Sequence, residues 1–219
     1  MDTYAWSAEA YTNSIYTEDD IRVKRILPLV GKAGRVLDVG CLDGTIGLAL
    51  KKLGNEVYGI DASEPGIMEA RRRGIDASLA NIEEEFPFPD GMFDLVFAGE
   101  VIEHIFDIDH LFKEFSRVLK PAGTLVLTTP NLAALGRRLL LLFNRNPHIE
   151  ITFTGDDAGH IRYFVKSTLF DLLLRHSFLS VQLTSDVVNF NRKGTIRSFQ
   201  LARLFPPLGR SLIVKARRG

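Results

Sequence analysis

Cysteine is almost absent from this sequence: Cys41 is the only one. A single thiol excludes an internal disulfide and fits a reducing compartment. Net charge is absent too, since 27 basic side chains balance 27 acidic ones. Without a global field the chain has no general attraction for nucleic acid or an anionic membrane, so neither is an expected partner. No stretch of 18 consecutive apolar residues occurs, which excludes a membrane-spanning helix. The opening MDTYAWSAEAY lacks the basic-then-apolar order of a signal peptide. A cytoplasmic protein is expected, as a monomer or homodimer. The histidines His104, His110, His148, His160 and His176 fall in no H-E-x-x-H or cysteine-pair spacing, so no metal is expected. The lack of a G-x-S-x-G elbow argues against a Ser-His-Asp hydrolase.

What is present is organised around residues 35–50, RVLDVGCLDGTIGLAL. The apolar run Val36-Leu37-Asp38-Val39 reads as a strand, Gly40-Cys41-Leu42-Asp43-Gly44 as a turn, and the residues from Thr45 as a helix. Strand, glycine turn and helix form the entry to a nucleotide-binding α/β domain. Gly40 and Gly44 let a ligand approach the backbone, and the helix N-terminus favours an anionic group. A second strand, Glu56-Val57-Tyr58-Gly59-Ile60, ends in Asp61, placed to bind a ribose diol. That acid fits NAD or S-adenosylmethionine. The spacing Gly40, Gly44, Gly47, with Leu42 at the middle position, departs from the G-x-G-x-x-G of dinucleotide enzymes and disfavours an NAD(P)-dependent oxidoreductase.

Alternation continues along the chain. Strands are expected at 76–79, 93–98, 124–129, 178–185 and 211–216, helices at 64–73, 107–119, 132–143 and 167–176, and an irregular connection over 189–210. Gly40, Asp61, Asn81 and Gly99 all fall at or just past strand C-termini, where a doubly wound parallel sheet binds ligands.

VLDVGCLDG, YGIDAS, FDLVFAGEVIEHI and LKPAGTLVLTTPN together resemble the successive motifs of class I S-adenosylmethionine-dependent methyltransferases. Within these, the nearest likeness is to the ubiquinone-biosynthesis O-methyltransferases. The resemblance covers residues 36–131 well and 159–181 and 211–216 more loosely. The family usually has glycine where Leu42 stands. The resemblance implies a Rossmann-like, mostly parallel seven-stranded sheet, with its last strand antiparallel between strands five and six. It implies S-adenosylmethionine as cofactor and S-adenosylhomocysteine as product. The cofactor would meet Gly40, Cys41, Leu42, Gly44, Asp61, Ala62, Asn81, Ile82, Ala98, Gly99 and Glu100. Asn81 stands where the family carries an acid for the adenine amino group, and an amide can still accept there. The expected activity is methyl transfer to a small-molecule acceptor, by preference at oxygen. The alternatives are a non-catalytic S-adenosylmethionine-binding protein and, less favoured, the oxidoreductase.

The rest of the chain bears on the acceptor. Residues 1–219 are expected to form one domain, with 1–30 as an N-terminal lid and helix and 131–163 as a substrate-covering insertion after strand five. In the resembling family an aromatic side chain of such a lid lies near the sulfonium, and Tyr11 is the candidate. His104 and His160 are the candidate bases, and Glu103 is read as structural or solvated. Arg162 and Tyr163 would face the acceptor, with Arg162 available for an anionic group. The run Leu139-Leu140-Leu141-Leu142-Phe143 is read as core or lid packing, with weak interfacial contact as the other reading. Ten acidic residues and one lysine fill 81–114, whereas 187–219 holds eight basic residues and no acid. These runs read as solvated faces, or as a basic rim that steers an anionic substrate.

Overall fold

In strand β1 (Arg35–Val39), Leu37 and Val39 are buried on one face and Val36 on the other, as the two-residue period of a central strand requires. A computed structural model describes residues 20–147, 159–191 and 195–219. Helix α1 (Ile21–Val30) starts where the Asp20 side chain accepts a hydrogen bond from the Arg22 N–H at 2.7 Å. After β1 follow α2 (Thr45–Lys52), β2 (Glu56–Asp61), α3 (Glu64–Arg72), β3 (Asp76–Leu79), β4 (Phe93–Gly99), α4 (Ile108–Val118) and β5 (Leu119–Pro130). Then come α5 (Leu135–Leu142), α6 (Lys166–Arg175), β6 (Phe178–Thr184), β7 (Val188–Asn189), β8 (Arg197–Ser198), α7 (Phe199–Leu204) and β9 (Ser211–Arg218).

The main sheet has seven strands in the order β3-β2-β1-β4-β5-β9-β6. The first five are mutually parallel, and β9 runs antiparallel to both β5 and β6. The strand order reverses between β1 and β4, which opens a crevice at their C-terminal ends. On one face α4 and α6 pack Leu111, Phe112, Phe115, Leu169 and Leu173 against Leu125 and Leu127 of β5. On the other, α1, α2 and α3 pack Ile26, Leu50 and Ile67 against Val36 and Val126. Each such fully buried side chain contributes about 1.5–3 kcal/mol.

The expected doubly wound sheet is therefore present, with three differences of detail. β5 begins at Leu119, not Thr124, because Pro121-Ala122-Gly123 sits inside the strand as an irregularity, with Ala122 at φ 58°. The helix expected over 132–143 starts at Leu135, because Asn131 Oδ1 accepts from the Ala133 N–H and turns the chain first. The connection expected to be irregular over 189–210 contains the β7–β8 hairpin and α7, which Ser198 caps by accepting from Leu201 N–H at 3.1 Å. Of the expected lid, residues 21–30 are a packed helix with Val23 and Ile26 in the core. Tyr11 lies outside the described residues, as does 148–158 of the insertion.

Candidate cofactor and acceptor site

The β1–α2 turn is held by the sheet beneath it. Gly40 and Cys41 both donate to the Ile60 carbonyl, at 2.8 and 3.1 Å. Gly40 has φ 74°, and a Cβ there would sit 2.6 Å from Val101 Cγ2. The glycine is therefore required by the fold. Leu42 has φ 45°, a left-handed conformation unusual for a branched aliphatic residue. Glycine meets no Cβ penalty there, which accounts for the family's preference at this position. The Leu42 side chain lies against α3 at Gly66, where a Cβ would come 3.2 Å from Leu42 Cδ1. Gly44 closes the turn against Ala70 and Ile75 of the same packing layer, not against the crevice. The Cys41 thiol is buried beside Gly59, and burial pushes its pKa up.

Asp61 stands at the tip of β2. Its Oδ2 accepts from Leu42 N–H and its Oδ1 from Ser63 N–H, both at 2.8 Å. Burial raises its pKa, and the amides of Ser63, Leu42 and Ala62 oppose that shift by hydrogen bonding the ionised form. Ala62 thus lies in the same turn. Asp38 and Asp43, which the motif reading left without a role, are buried in the same region. Burial, then the charges of Asp61 and Asp43, push the Asp38 carboxyl up to about 8, so it is held protonated at neutral pH. Asn81 follows β3; its Oδ1 accepts from Glu83 N–H and its Nδ2 donates to Glu84. Ile82 beside it is buried.

At the end of β4, Ala98 is fully buried, and Gly99 gives way to Glu100 at φ 57°. Glu100 is fixed from two sides: Thr128 Oγ1 donates to Oε1 at 2.9 Å, and Arg22 Nη1 of α1 lies 2.7 Å from Oε2. Sequence reasoning missed Arg22, because a basic residue in the first turn of a helix carries no signal of what lies across the sheet.

Past Glu100 the chain brings three side chains together. Glu103 is 1% exposed; its Oε2 accepts from Thr129 Oγ1 at 3.0 Å, while Oε1 is buried without a hydrogen-bond partner. His160 Nε2 lies 3.9 Å from that oxygen. The His104 and His160 rings are 4.9 Å apart, and His104 Nδ1 lies 3.3 Å from the Gly159 carbonyl. Burial, then the neighbouring His160, lowers the His104 pKa to about 4. Burial and the Glu100 charge push Glu103 well above the carboxylate range. Tyr163 stands edge-on to His160 with centroids 6.3 Å apart. One ligand atom from each of Glu103, His104 and His160 falls within 4.8 Å of the others. The spacing reading found no metal-ligating cluster; the fold assembles one by returning His160 beside the Glu103-His104 pair. Arg162 is placed differently from expectation. Its Nε donates to the Ile105 carbonyl at 2.9 Å and its Nη2 to that of Phe106 at 2.5 Å, so it ties its segment to the loop after β4.

Residues 37–127 match the family described as "Methyltransferase domain". Among curated relatives, a ubiquinone biosynthesis O-methyltransferase of Xanthomonas oryzae is 30% identical over 133 residues, 58% of this chain and 56% of that protein. The human mitochondrial ubiquinone biosynthesis O-methyltransferase is 31% identical over 165 residues, 71% of this chain and 43% of that protein. The chain thus matches about half the length of these relatives. Among solved structures, a SAM-dependent methyltransferase of Archaeoglobus fulgidus aligns with a TM-score of 0.67 at 20% identity, over 90% of this chain and 91% of that one. One from Thermotoga maritima, titled a possible histamine N-methyltransferase, gives 0.66 at 19% identity over 99% and 89%. Residues 37–127 thus match a methyltransferase domain family, within a seven-stranded fold shared with solved SAM-dependent methyltransferases.

Proposed function

We propose that the chain transfers the methyl group of S-adenosylmethionine to a hydroxyl of a small-molecule acceptor in the cytoplasm. The observation that carries this reading is the Glu103, His104 and His160 cluster, set just past the end of β4 beside the crevice. Methyl transfer is an in-line displacement: the S–CH3 bond breaks as the O–CH3 bond forms, and the hydroxyl proton must leave. Alignment and exclusion of water supply most of the acceleration. The proton passes to His160, whose Nε2 lies 3.9 Å from Glu103 Oε1. His104, neutral above its lowered pKa, remains available as an acceptor and closes the cluster against Gly159. Asp61 takes the cofactor ribose, Asn81 and Ile82 the adenine, and Glu100 faces the methionine part. Of the described residues, 131–147 and 159–163 would cover the mouth.

The test uses the full chain. It should bind S-adenosylhomocysteine and not NADH by calorimetry, and methylate a catechol panel with labelled S-adenosylmethionine. His160→Gln should lower kcat by about 10²–10⁴-fold with cofactor affinity unchanged. Binding without turnover on any acceptor would leave the non-catalytic reading standing. The trio also suits a divalent cation that would polarise the acceptor oxygen, with His104 and His160 neutral as ligands. Loss of turnover in chelator, restored by added metal, would favour that second reading over direct proton transfer.

Asp61→Ala should weaken S-adenosylhomocysteine binding by about 1.5–3 kcal/mol, the scale of a hydrogen bond to a charged group. Unchanged affinity would remove Asp61 from the site.

A further inference from the structure

A cavity of about 740 Å³ lies between α5 and the β7–β8 hairpin, apart from the turns assigned to the cofactor. Its size suits a small organic ligand. Leu140, Phe143 and Phe190 supply apolar wall, and Arg137, Arg145 and Arg210 supply charge, with no acidic residue among those lining it. The three arginines differ. Arg210 is engaged by Asp186, at 2.8 Å from Nε and 2.5 Å from Nη2. Arg137 and Arg145 have no carboxylate within ion-pair distance among the described residues. Arg137 Nη1 is buried without a hydrogen-bond partner. A buried guanidinium N–H left unsatisfied is costly, and a carboxylate or phosphate oxygen satisfies it best. Arg210 of the cavity wall is joined through Asp186 and Arg22 to Glu100, at 2.5, 3.9 and 2.7 Å in turn, so the cavity lies one side-chain network away from the end of β4.

We propose that this cavity receives the methyl acceptor and that the acceptor is a small organic acid, with its anionic group on Arg137 and its apolar body along α5. The proposal rests on the methyl-transfer reading and names the acceptor's class. It moves the anion-binding role from Arg162, which is occupied by two main-chain carbonyls, to Arg137. Arg145 at the exposed rim draws the acid in, and Arg210 orients the wall with Asp186 behind it.

A matched probe pair tests this. 1-Anilinonaphthalene-8-sulfonate carries the anion, and N-phenyl-1-naphthylamine is its neutral counterpart. Both are titrated by fluorescence into the full chain saturated with S-adenosylhomocysteine. The wild type should prefer the sulfonate by about tenfold or more. Arg137→Gln should abolish that preference while leaving the neutral probe and S-adenosylhomocysteine affinity unchanged. Arg145→Gln should weaken the preference in part, and Arg137→Lys should retain some of it. Arg203→Gln, an exposed position on α7 outside the cavity, should leave it intact. Equal binding of the two probes to the wild type would overturn the proposal, as would a preference that survives both Arg137→Gln and Arg145→Gln. If the chain ignores the sulfonate but binds phosphatidylglycerol vesicles through Arg137, the occupant is a lipid headgroup and the proposal is wrong. S-adenosylhomocysteine binding without the sulfonate preference sinks this proposal alone. No S-adenosylhomocysteine binding sinks the methyl-transfer reading with it.

Discussion

Asp186→Ala is expected to lower the free energy of unfolding by about 2–4 kcal/mol, the cost of leaving two buried amides without their acceptor. Asp186 is fully buried. It accepts from Arg210 Nε and Nη2, from Val187 N–H at 2.7 Å and from Ser211 N–H at 3.2 Å. Arg22 Nε of α1 lies 3.9 Å from the same carboxylate. One side chain thus joins the segment after β6, the start of β9 and the helix whose arginine also holds Glu100. Removing it takes the more distant of two carboxylates from Arg22, itself 8% exposed and still paired with Glu100, and frees two buried amides. Urea unfolding followed by circular dichroism measures the effect. A loss under about 1 kcal/mol would mean that water replaces the carboxylate and the network is dispensable. Because Arg22 anchors Glu100, the variant should also bind S-adenosylhomocysteine more weakly wherever it remains folded.

Gly40→Val is expected to abolish S-adenosylhomocysteine binding and to destabilise the domain at once. The left-handed φ of 74° alone costs an L residue about 1–2 kcal/mol. The added Cβ would meet Val101 Cγ2 at 2.6 Å, a distance real contacts do not reach, so the β1 turn and the segment after β4 must separate. The two causes can be told apart. Gly40→Ala combined with Val101→Ala removes the clash with Val101 Cγ2 while keeping a Cβ in the turn. That double variant should fold, less stable than the wild type by the φ penalty and the Val101 truncation, and still bind S-adenosylhomocysteine at least about tenfold more weakly. Restored affinity would show that the glycine serves packing alone and that the turn does not touch the ligand.

The parallel half of the sheet was legible because β1, β2 and β4 are short apolar runs closed by a glycine or an acid at the C-terminal tip, as at Gly40, Asp61 and Gly99. The place of β9 was legible only through resemblance, since SLIVKA carries no mark of its direction or neighbours. Two site features stayed hidden for a plainer reason: their partners are distant in the chain. Glu103 reads as a solvated acid until His160 returns to within 3.9 Å. Arg162 reads as a free cation until the carbonyls of Ile105 and Phe106 are seen within reach. Arg137 sits in a leucine-rich helical run whose pattern reports only amphipathicity, so its unsatisfied Nη1 has no sequence signature.

The position of β9 constrains how the protein can be made. Thr124 of β5 pairs with Arg217, and Phe178 of β6 with Arg218, so the two strands flanking β9 never pair with each other. Until β9 arrives, β5 presents an open edge of Leu125, Val126 and Leu127 with unpaired amides. A ribosome-bound chain that has not yet released residues 211–218 therefore holds a half-sheet prone to pairing with another copy. Closure waits on contacts between residues far apart in sequence, which slows folding. A chain stalled or truncated just before Ser211 would be handed to chaperones or aggregate, although every residue around Gly40 and Asp61 had already been synthesised.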